Sequence, residues 1–237
     1  MNCNDVGILG YGEVGRAIEK LYPSIIKIKD LDRDDGLQGI KYLHICTPFT
    51  DSFVKESIDY ITEYSPEYAI IHSTVLPGTT SCIEAATQSK LIHSPIRGVH
   101  PNLYEGLLTF VKYIGSNTDC EEVVEHFNEL GVITKVVDTP ETSELAKLLS
   151  TTYYGLCIAW HGEMKGMCDS LGVDFSEAVT DWNRSYNEGY TKLDMDHVVR
   201  PVLYPPDKIG GHCILPNADI LSRVFSNKAL ELVKKWG

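Results

Sequence analysis

No cluster of lysine and arginine occurs anywhere in the 237 residues, and acidic side chains outnumber basic ones by 33 to 21. With a formal net charge of -12 and no basic face, the chain has nothing to neutralise a phosphate backbone, so nucleic acid is excluded as a partner. Long apolar runs are missing too. None approaches the ~18 residues of a membrane span, and no membrane partner is expected. The N-terminal MNCNDVGILGYG enters a strand pattern without the basic region and cleavage site of a leader, so the expected location is cytoplasmic. The seven cysteines, at positions 3, 46, 82, 120, 157, 168 and 213, form no CxxC pair and mostly lie in apolar segments. They read as reduced thiols, with neither a disulfide frame nor a metal site. Internal repeats and low-complexity tracts are absent as well.

What is present is an ordinary globular composition, 43% hydrophobic and 23% charged, long enough to bury a real core. Over residues 1–138 short β-branched runs alternate with longer helical patterns. VGILG (6–10), IIKIK (25–29), YLHIC (42–46), YAIIHS (68–73), LIHSP (91–95) and KYIG (112–115) predict strands. GEVGRAIEKLY, DSFVKESIDYITEY, TTSCIEAATQ and DCEEVVEHFNELG predict helices between them. Strand then helix, repeated, implies an α/β fold, a doubly wound parallel sheet of Rossmann type covered on both faces.

Residues 139–237 read as a small all-α domain. Thr139 suits a cap and Pro140 a first helical position, and an apolar stripe from Leu145 to Leu171 then runs for ~30 residues, or ~45 Å. A helix that outspans a small domain is expected to pack against a second subunit, making a homodimer. Asp174 with Glu177 resembles a capping box that starts a second helix through about Asn187. A final amphipathic helix is expected over about 219–236.

Gly10-Tyr11-Gly12-Glu13-Val14-Gly15 follows an apolar strand and opens a helix, the setting a dinucleotide fingerprint requires. Gly10 permits the tight turn, Gly12 lets backbone approach a pyrophosphate, and Gly15 allows close helix-to-strand packing. The helix N-terminus supplies amides and dipole. An acid about 20 residues on should bond the adenosine ribose; Asp30 does so, with Asp32 as the alternative. That acid favours NAD over NADP, with Arg33 arguing the other way. Two further loops fall at the carboxyl ends of predicted strands, where open α/β sheets bind ligands. Thr47-Pro48 follows YLHIC, and Ser73-Thr74 opens STVLPGTT. Their hydroxyls can hold a nicotinamide ribose or order a water; the other reading is that Thr79 or Thr80 simply caps the next helix.

GYGEVG, CTPFTD, STVLPGTT, ELAKLL on a long helix and IGGHC, in that order, resemble the nucleotide-sugar dehydrogenases, the UDP-glucose/GDP-mannose dehydrogenase family. The resemblance covers that family's Rossmann domain and central helical domain. It implies oxidation of a sugar alcohol to a carboxylate with NAD, through a cysteine-linked thiohemiacetal and thioester. Cys213 then matches the nucleophile, and the glycines Gly210 and Gly211 let backbone amides approach the sulfur and an oxyanion. Lys147 matches the family's acid/base or oxyanion lysine. His212 reads as a substrate or structural contact.

Departures from the family pattern are equally specific. One helical turn after the lysine the family has asparagine, and this chain has Thr151. Ser94-Pro95-Ile96 stands where the family has Asn-Pro-Glu, and Asn217 where it has an aspartate that activates water. Asparagine cannot take up a proton as a carboxylate does, so thioester hydrolysis is the half of the reaction in question. The sequence ends at Gly237, whereas the family continues into a second Rossmann-like domain, so a shortened form is expected. Arg97 and His100 are candidates for binding a substrate carboxylate or phosphate, Arg97 by two parallel hydrogen bonds, with surface-loop bystanders as the alternative. Two other functions stay open: a single-hydride β-hydroxyacid-dehydrogenase-like enzyme that uses Lys147, and a noncatalytic dinucleotide-binding module. In every case the partner is a small molecule, a sugar or a hydroxyacid for the enzymes.

Overall fold

The computed structural model describes residues 3–237. Contacts divide the chain into two compact units, Met1–Lys147 and Leu148–Gly237.

The first unit is built on an eight-stranded sheet. Its elements are β1 (Val6–Leu9), α1 (Glu13–Glu19), β2 (Lys27–Asp30), β3 (Arg33–Asp34), β4 (Tyr42–Ile45), α2 (Phe53–Tyr64), β5 (Tyr68–Ile71), α3 (Thr79–Ala85), β6 (Lys90–His93), α4 (Leu103–Thr109), β7 (Lys112–Ser116), α5 (Glu121–Glu129) and β8 (Thr134–Val137). The first turns of α6 (Pro140–Leu171) also belong to it. The strand order is β3-β2-β1-β4-β5-β6-β7-β8, so the chain leaves β1 in one direction and returns to its other side at β4. That reversal is the place where a doubly wound sheet opens a crevice at its carboxyl edge.

Strands β1, β4 and β5 are buried on every residue, as expected for parallel strands covered on both faces. One apolar layer, with Ile8, Ile28, Ile70, Ile92 and Phe127, lies on the face of α1 and α5. The other, with Leu43, Ile45, Phe53, Ile71 and Ile83, lies on the face of α2 and α3.

The sheet departs from the expected parallel arrangement at two places. β3 pairs antiparallel with β2, and β7 antiparallel with β6. The expected strand 25–29 begins at Lys27 instead, because Ile25 is 84% exposed and contributes nothing to the core. The first predicted helix ends early, at Glu19, within GEVGRAIEKLY. β8 and α4 were not foreseen. β8 is only half-buried, so its residues lack the apolar signature of a covered strand.

The second unit consists of helices and irregular chain among the described residues. The remainder of α6 is joined by α7 (Asp181–Lys192), α8 (Ile214–Ser222) and α9 (Lys228–Lys235). The start of α6 is as expected: the Thr139 hydroxyl accepts from the Thr142 amide at 3.2 Å. Asp174 likewise accepts from the Glu177 amide at 3.0 Å, but the helix that follows opens with a π-turn over Ser176–Thr180 and continues past Asn187 to Lys192. The single final helix expected over 219–236 is two helices. Asn227 ends the irregular break by capping the second, its side chain accepting from the Leu230 amide at 3.1 Å.

Small residues let these helices close up. A Cβ on Gly155 would lie 2.4 Å from Ile214, and one on Gly162 would lie 2.3 Å from the Trp236 ring. Trp236 in turn donates its indole N–H to Glu163 at 2.8 Å. No helix of the described residues is long and apolar enough to cross a membrane.

Candidate active site

In the first unit, the glycine loop has the geometry its sequence foretells. Gly10 sits at φ +90°, and a Cβ there would meet the Thr47 amide nitrogen at 2.9 Å. A Cβ on Gly15 would lie 2.2 Å from the Gly10 carbonyl oxygen, so helix and strand touch through that residue. Gly12 differs: it is exposed, and a Cβ there would meet nothing within 4 Å. It is also the N-cap of α1 and offers no side-chain cap, which leaves the first amides without a side-chain partner from that position. An open backbone surface at a helix start is what a pyrophosphate needs, and the residues fit a dinucleotide.

Flanking groups are fixed around this loop. Tyr11 bonds through its hydroxyl to Glu19, and Arg16 and Arg33 stand over its ring at 5.9 and 5.7 Å. That bond to Glu19 and partial burial raise the Tyr11 hydroxyl above its usual range. Asp30 ends β2, half-buried. Arg33, the argument for a 2′-phosphate, is engaged by Asp35, with Nη2 at 2.6 Å from the carboxylate and Nε at 2.9 Å. Glu13 pairs with His100 Nδ1, so the polar loop after β6 reaches back to the start of α1. Val14 is half-buried and packs against the apolar layer below.

Three more strand exits lie in the same unit. The Ser73 hydroxyl donates to the Thr47 carbonyl at 2.5 Å, tying the exit of β5 to that of β4. Pro48 is exposed beside it, and Thr74 is half-buried one residue on. His93, at the end of β6, contacts the Ser73 carbonyl at 3.1 Å and the Ser143 hydroxyl at 2.7 Å. Burial lowers His93 to about 3, so its ring is neutral.

The start of α6 is docked on these exits by three residues of its first turns, Ser143, Glu144 and Lys147. Besides Ser143, Glu144 accepts from the amides of Gly78 and Thr80 at 2.6 and 2.8 Å and from the Thr80 hydroxyl at 2.6 Å. The cap of α3 is therefore Glu144, and neither Thr79 nor Thr80 supplies it. Burial still pushes this carboxyl above its ordinary range, outweighing three donors. Lys147 then donates from Nζ to the Ile96 carbonyl at 2.8 Å. Its ammonium is held at the exit of β6, not spread over a solvated helix face. Ile96 itself is buried, 6% exposed, as a hydrophobe in the core layer. Arg97 stacks on Phe110 and Tyr113, 5.6 and 5.4 Å from their centroids, and reaches the Val111 carbonyl at 3.4 Å.

In the second unit, Cys213 is half-buried at the N-cap of α8, which has no side-chain cap hydrogen bond. Gly211 precedes it at φ +86°, and neither Gly210 nor Gly211 has any atom within 4 Å of a would-be Cβ. The sulfur thus sits at the start of a helix, on an open glycine turn. His212 is exposed. Asn217 is buried, 6% exposed, and its amide bonds to the Cys213 carbonyl at 3.1 Å as part of the helix start. Thr151 is half-buried on α6, four residues beyond Lys147.

The chain is similar to nucleotide-sugar dehydrogenases over the N-terminal part of those longer proteins. One relative, the UDP-N-acetyl-D-mannosamine dehydrogenase of Methanococcus vannielii, is 28% identical over 169 residues, covering 69% of this chain and 37% of the relative. The match thus spans little more than a third of that protein's length. The solved UDP-D-ManNAc dehydrogenase of Pyrococcus horikoshii superposes with a TM-score of 0.77 at 18% identity, over 98% of this chain and 68% of that one. The 3-hydroxyisobutyrate dehydrogenase of Mycobacterium tuberculosis gives 0.72 at 11% identity, over 99% and 92%. No protein-family model matches the chain.

Two groups of residues were missed by sequence reasoning. Glu144 lies inside the motif ELAKLL, three residues before the lysine. The second group is a set of buried histidines with Lys112, Tyr22 and Ser94 inside the sheet's core layer.

Proposed function

We propose that the chain is the dinucleotide-binding and reacting part of a cytoplasmic NAD-dependent dehydrogenase that oxidises an alcohol of a nucleotide sugar. The observation that carries this reading is the Lys147 ammonium, fixed 2.8 Å from the Ile96 carbonyl in the same unit as an open glycine loop and the Thr47 and Ser73–Thr74 exits. Gly10 to Gly15 and the first amides of α1 would hold the pyrophosphate, and Asp30 the adenosine ribose. With Arg33 engaged by Asp35, the acid decides the preference for NAD. When bound, the cofactor supplies a hydride acceptor.

The chain's own groups do the rest. Lys147 steadies the alkoxide as an ammonium, or takes the alcohol proton as the neutral amine, and Thr74 positions the reacting end through its hydroxyl. Cys213, at the start of α8, adds its sulfur to the aldehyde carbon, the open Gly210–Gly211 amides are suited to the resulting oxyanion, and loss of a second hydride to a second cofactor molecule would turn this thiohemiacetal into the thioester. Arg97 and His100 are proposed to meet the substrate's anionic part, with His212 and Thr151 as further contacts. Because Ile96 and Asn217 provide no carboxylate, hydrolysis of the Cys213 thioester is the slow step.

The same two residues favour a second reading: a single oxidation of a hydroxyacid by Lys147, with Cys213 a bystander. Reduced-cofactor absorbance, followed against UDP-sugars, GDP-mannose and small hydroxyacids, separates the readings. The first expects turnover on a nucleotide sugar that is lost in both Lys147→Ala and Cys213→Ala. Turnover on hydroxyacids that survives Cys213→Ala overturns it in favour of the second, and dinucleotide binding without any turnover overturns both.

A further inference from the structure

The apolar layer between the sheet and α5 is crossed by a continuous line of polar side chains from β4, β7 and α5 and from the loops after α1 and β5. His126 on α5 contacts the Tyr22 hydroxyl through Nε2 at 2.8 Å, and that hydroxyl contacts His44 Nε2 on β4 at 2.6 Å. His44 Nδ1 meets His72 Nε2, just past β5, at 2.8 Å. His72 Nδ1 lies 2.8 Å from the Ser94 carbonyl and 3.2 Å from Lys112 Nζ on β7, which itself donates to Ser94 O at 2.7 Å. All five side chains are buried. Desolvating so many polar groups is costly unless each is satisfied.

Donor counting shows how they are satisfied. The Tyr22 hydroxyl has one proton and bridges two ring nitrogens, and each neutral imidazole has one N–H. If His72 Nδ1–H donates to Ser94 O, then His44 must donate to His72, Tyr22 to His44, and His126 to Tyr22. If Lys112 donates to His72 Nδ1, the bond to Ser94 O is given up and the three bonds from His72 to His126 reverse. The line therefore has two self-consistent states of opposite polarity, and one proton passed along it converts one into the other.

We infer that Lys112, His72, His44, Tyr22 and His126 form a proton relay joining the strand exits at Ser94–Ile96 to a surface cavity. Lys112 gives a proton to His72 Nδ1, and the His72 Nε2 proton moves to His44 Nδ1. The His44 Nε2 proton then moves to the Tyr22 oxygen, the hydroxyl proton moves to His126 Nε2, and the His126 Nδ1 proton leaves. Each ring ends neutral. The outlet is a cavity of about 250 Å³ where His126 stands with Asp5, Lys41, Glu122, Glu125 and Glu129.

Burial lowers Lys112 to about 7, with Cys46 opposing the shift and Lys147 adding to it. The other titratable groups facing it are His72, His44 and His93, all of which burial keeps neutral. At the inner end, Lys112 and Lys147 bond the carbonyls of Ser94 and Ile96, two residues apart. The step leaves Lys112 as the neutral amine, and under the dehydrogenase reading it is recharged by the proton that oxidation of an alcohol releases. The path itself rests on the hydrogen bonds alone.

Nitrogen-15 NMR of the full chain, labelled at histidine and lysine, tests the path without turnover. Lys112 should titrate near 7, and the His44 and His72 ring nitrogens should exchange protonated and unprotonated shifts through the same midpoint. In Tyr22→Phe, hydrogen exchange at Lys112 Nζ should slow by about tenfold or more while core amides of β4 and β5 keep their protection. His126→Phe keeps the ring stack on Tyr42 and gives the same test at the outer end should the first variant not fold. Fixed tautomers through the Lys112 titration, or unchanged exchange in the folded variants, overturn the relay. Tautomer reversal with no turnover on any alcohol would instead overturn the dehydrogenase reading and leave the relay standing.

Discussion

The carboxylate of Glu144 accepts two hydrogen bonds from Thr80, one from its amide and one from its hydroxyl, and a third from the Gly78 amide. It thereby caps α3 with a residue 64 positions away, and it locks the first turns of α6 to the exit of β5. Glu144→Ala leaves three donors without this acceptor at a fully buried site. The expected loss is about 3 kcal/mol of unfolding free energy, measured by urea denaturation. Thr80→Val removes one of the three donors and should cost about 1 kcal/mol.

The glycine loop separates stability from binding. Gly15→Ala places a methyl 2.2 Å from the Gly10 carbonyl and should cost about 2 kcal/mol or more in stability. Gly12→Ala has open space and should fold with stability within about 0.5 kcal/mol of the parent. Its methyl nevertheless occupies the approach to the backbone, and dinucleotide affinity should fall by about tenfold or more. Denaturation and cofactor titration on both variants check the split.

Acid should destabilise the protein through its buried histidines. Burial lowers His93 to about 3 and His126 to about 4, and it lowers His44 and His72 well below the usual range. The unfolded chain therefore binds protons that the folded chain refuses. Stability rises with pH across this window, and it is lost as pH falls below the unfolded value near 6.5. Each such histidine contributes a slope of about 1.4 kcal/mol per pH unit until its folded pKa is reached. Lys112, lowered to about 7, has the same sign between its unfolded value and 7. Denaturation at pH 5, 6 and 7 should show the slope, and His44→Phe should reduce it.

The long helix carries an exposed stripe of Leu149, Tyr153, Trp160, Met167 and Leu171, between 48% and 78% exposed. Its spacing of four and seven keeps one face apolar over most of the 32-residue helix. We propose this stripe as the homodimer contact. Light scattering should give about twice 26.4 kDa, and Tyr153→Lys with Met167→Lys should return the monomer mass.

Features that repeat locally were legible in the sequence. The glycine fingerprint, the apolar runs of β1, β4 and β5 and the cap and stripe of α6 each state their structure within a few residues. β3 is two residues long, and β8 is a half-exposed edge, so neither has a run to read. The final helix divides at Asn227, a cap that sits in a stretch whose amphipathic period continues on both sides. Glu144 and the line from His126 to Lys112 were beyond reach for another reason. Their partners meet across strands and helices 22 to 104 residues apart, and single histidines in apolar strands carry no spacing that joins them.

Mass spectrometry of Cys213 during a single turnover, with reduced cofactor counted per active site, bears most directly on the proposed chemistry. Mixed with NAD and an oxidisable nucleotide sugar, the chain should form reduced cofactor rapidly and accumulate an acyl adduct on Cys213, because Ile96 and Asn217 leave hydrolysis slow. Lys147→Ala should abolish both signals. Reduced cofactor formed at an undiminished rate by Cys213→Ala, with no adduct in the parent chain, would contradict the account.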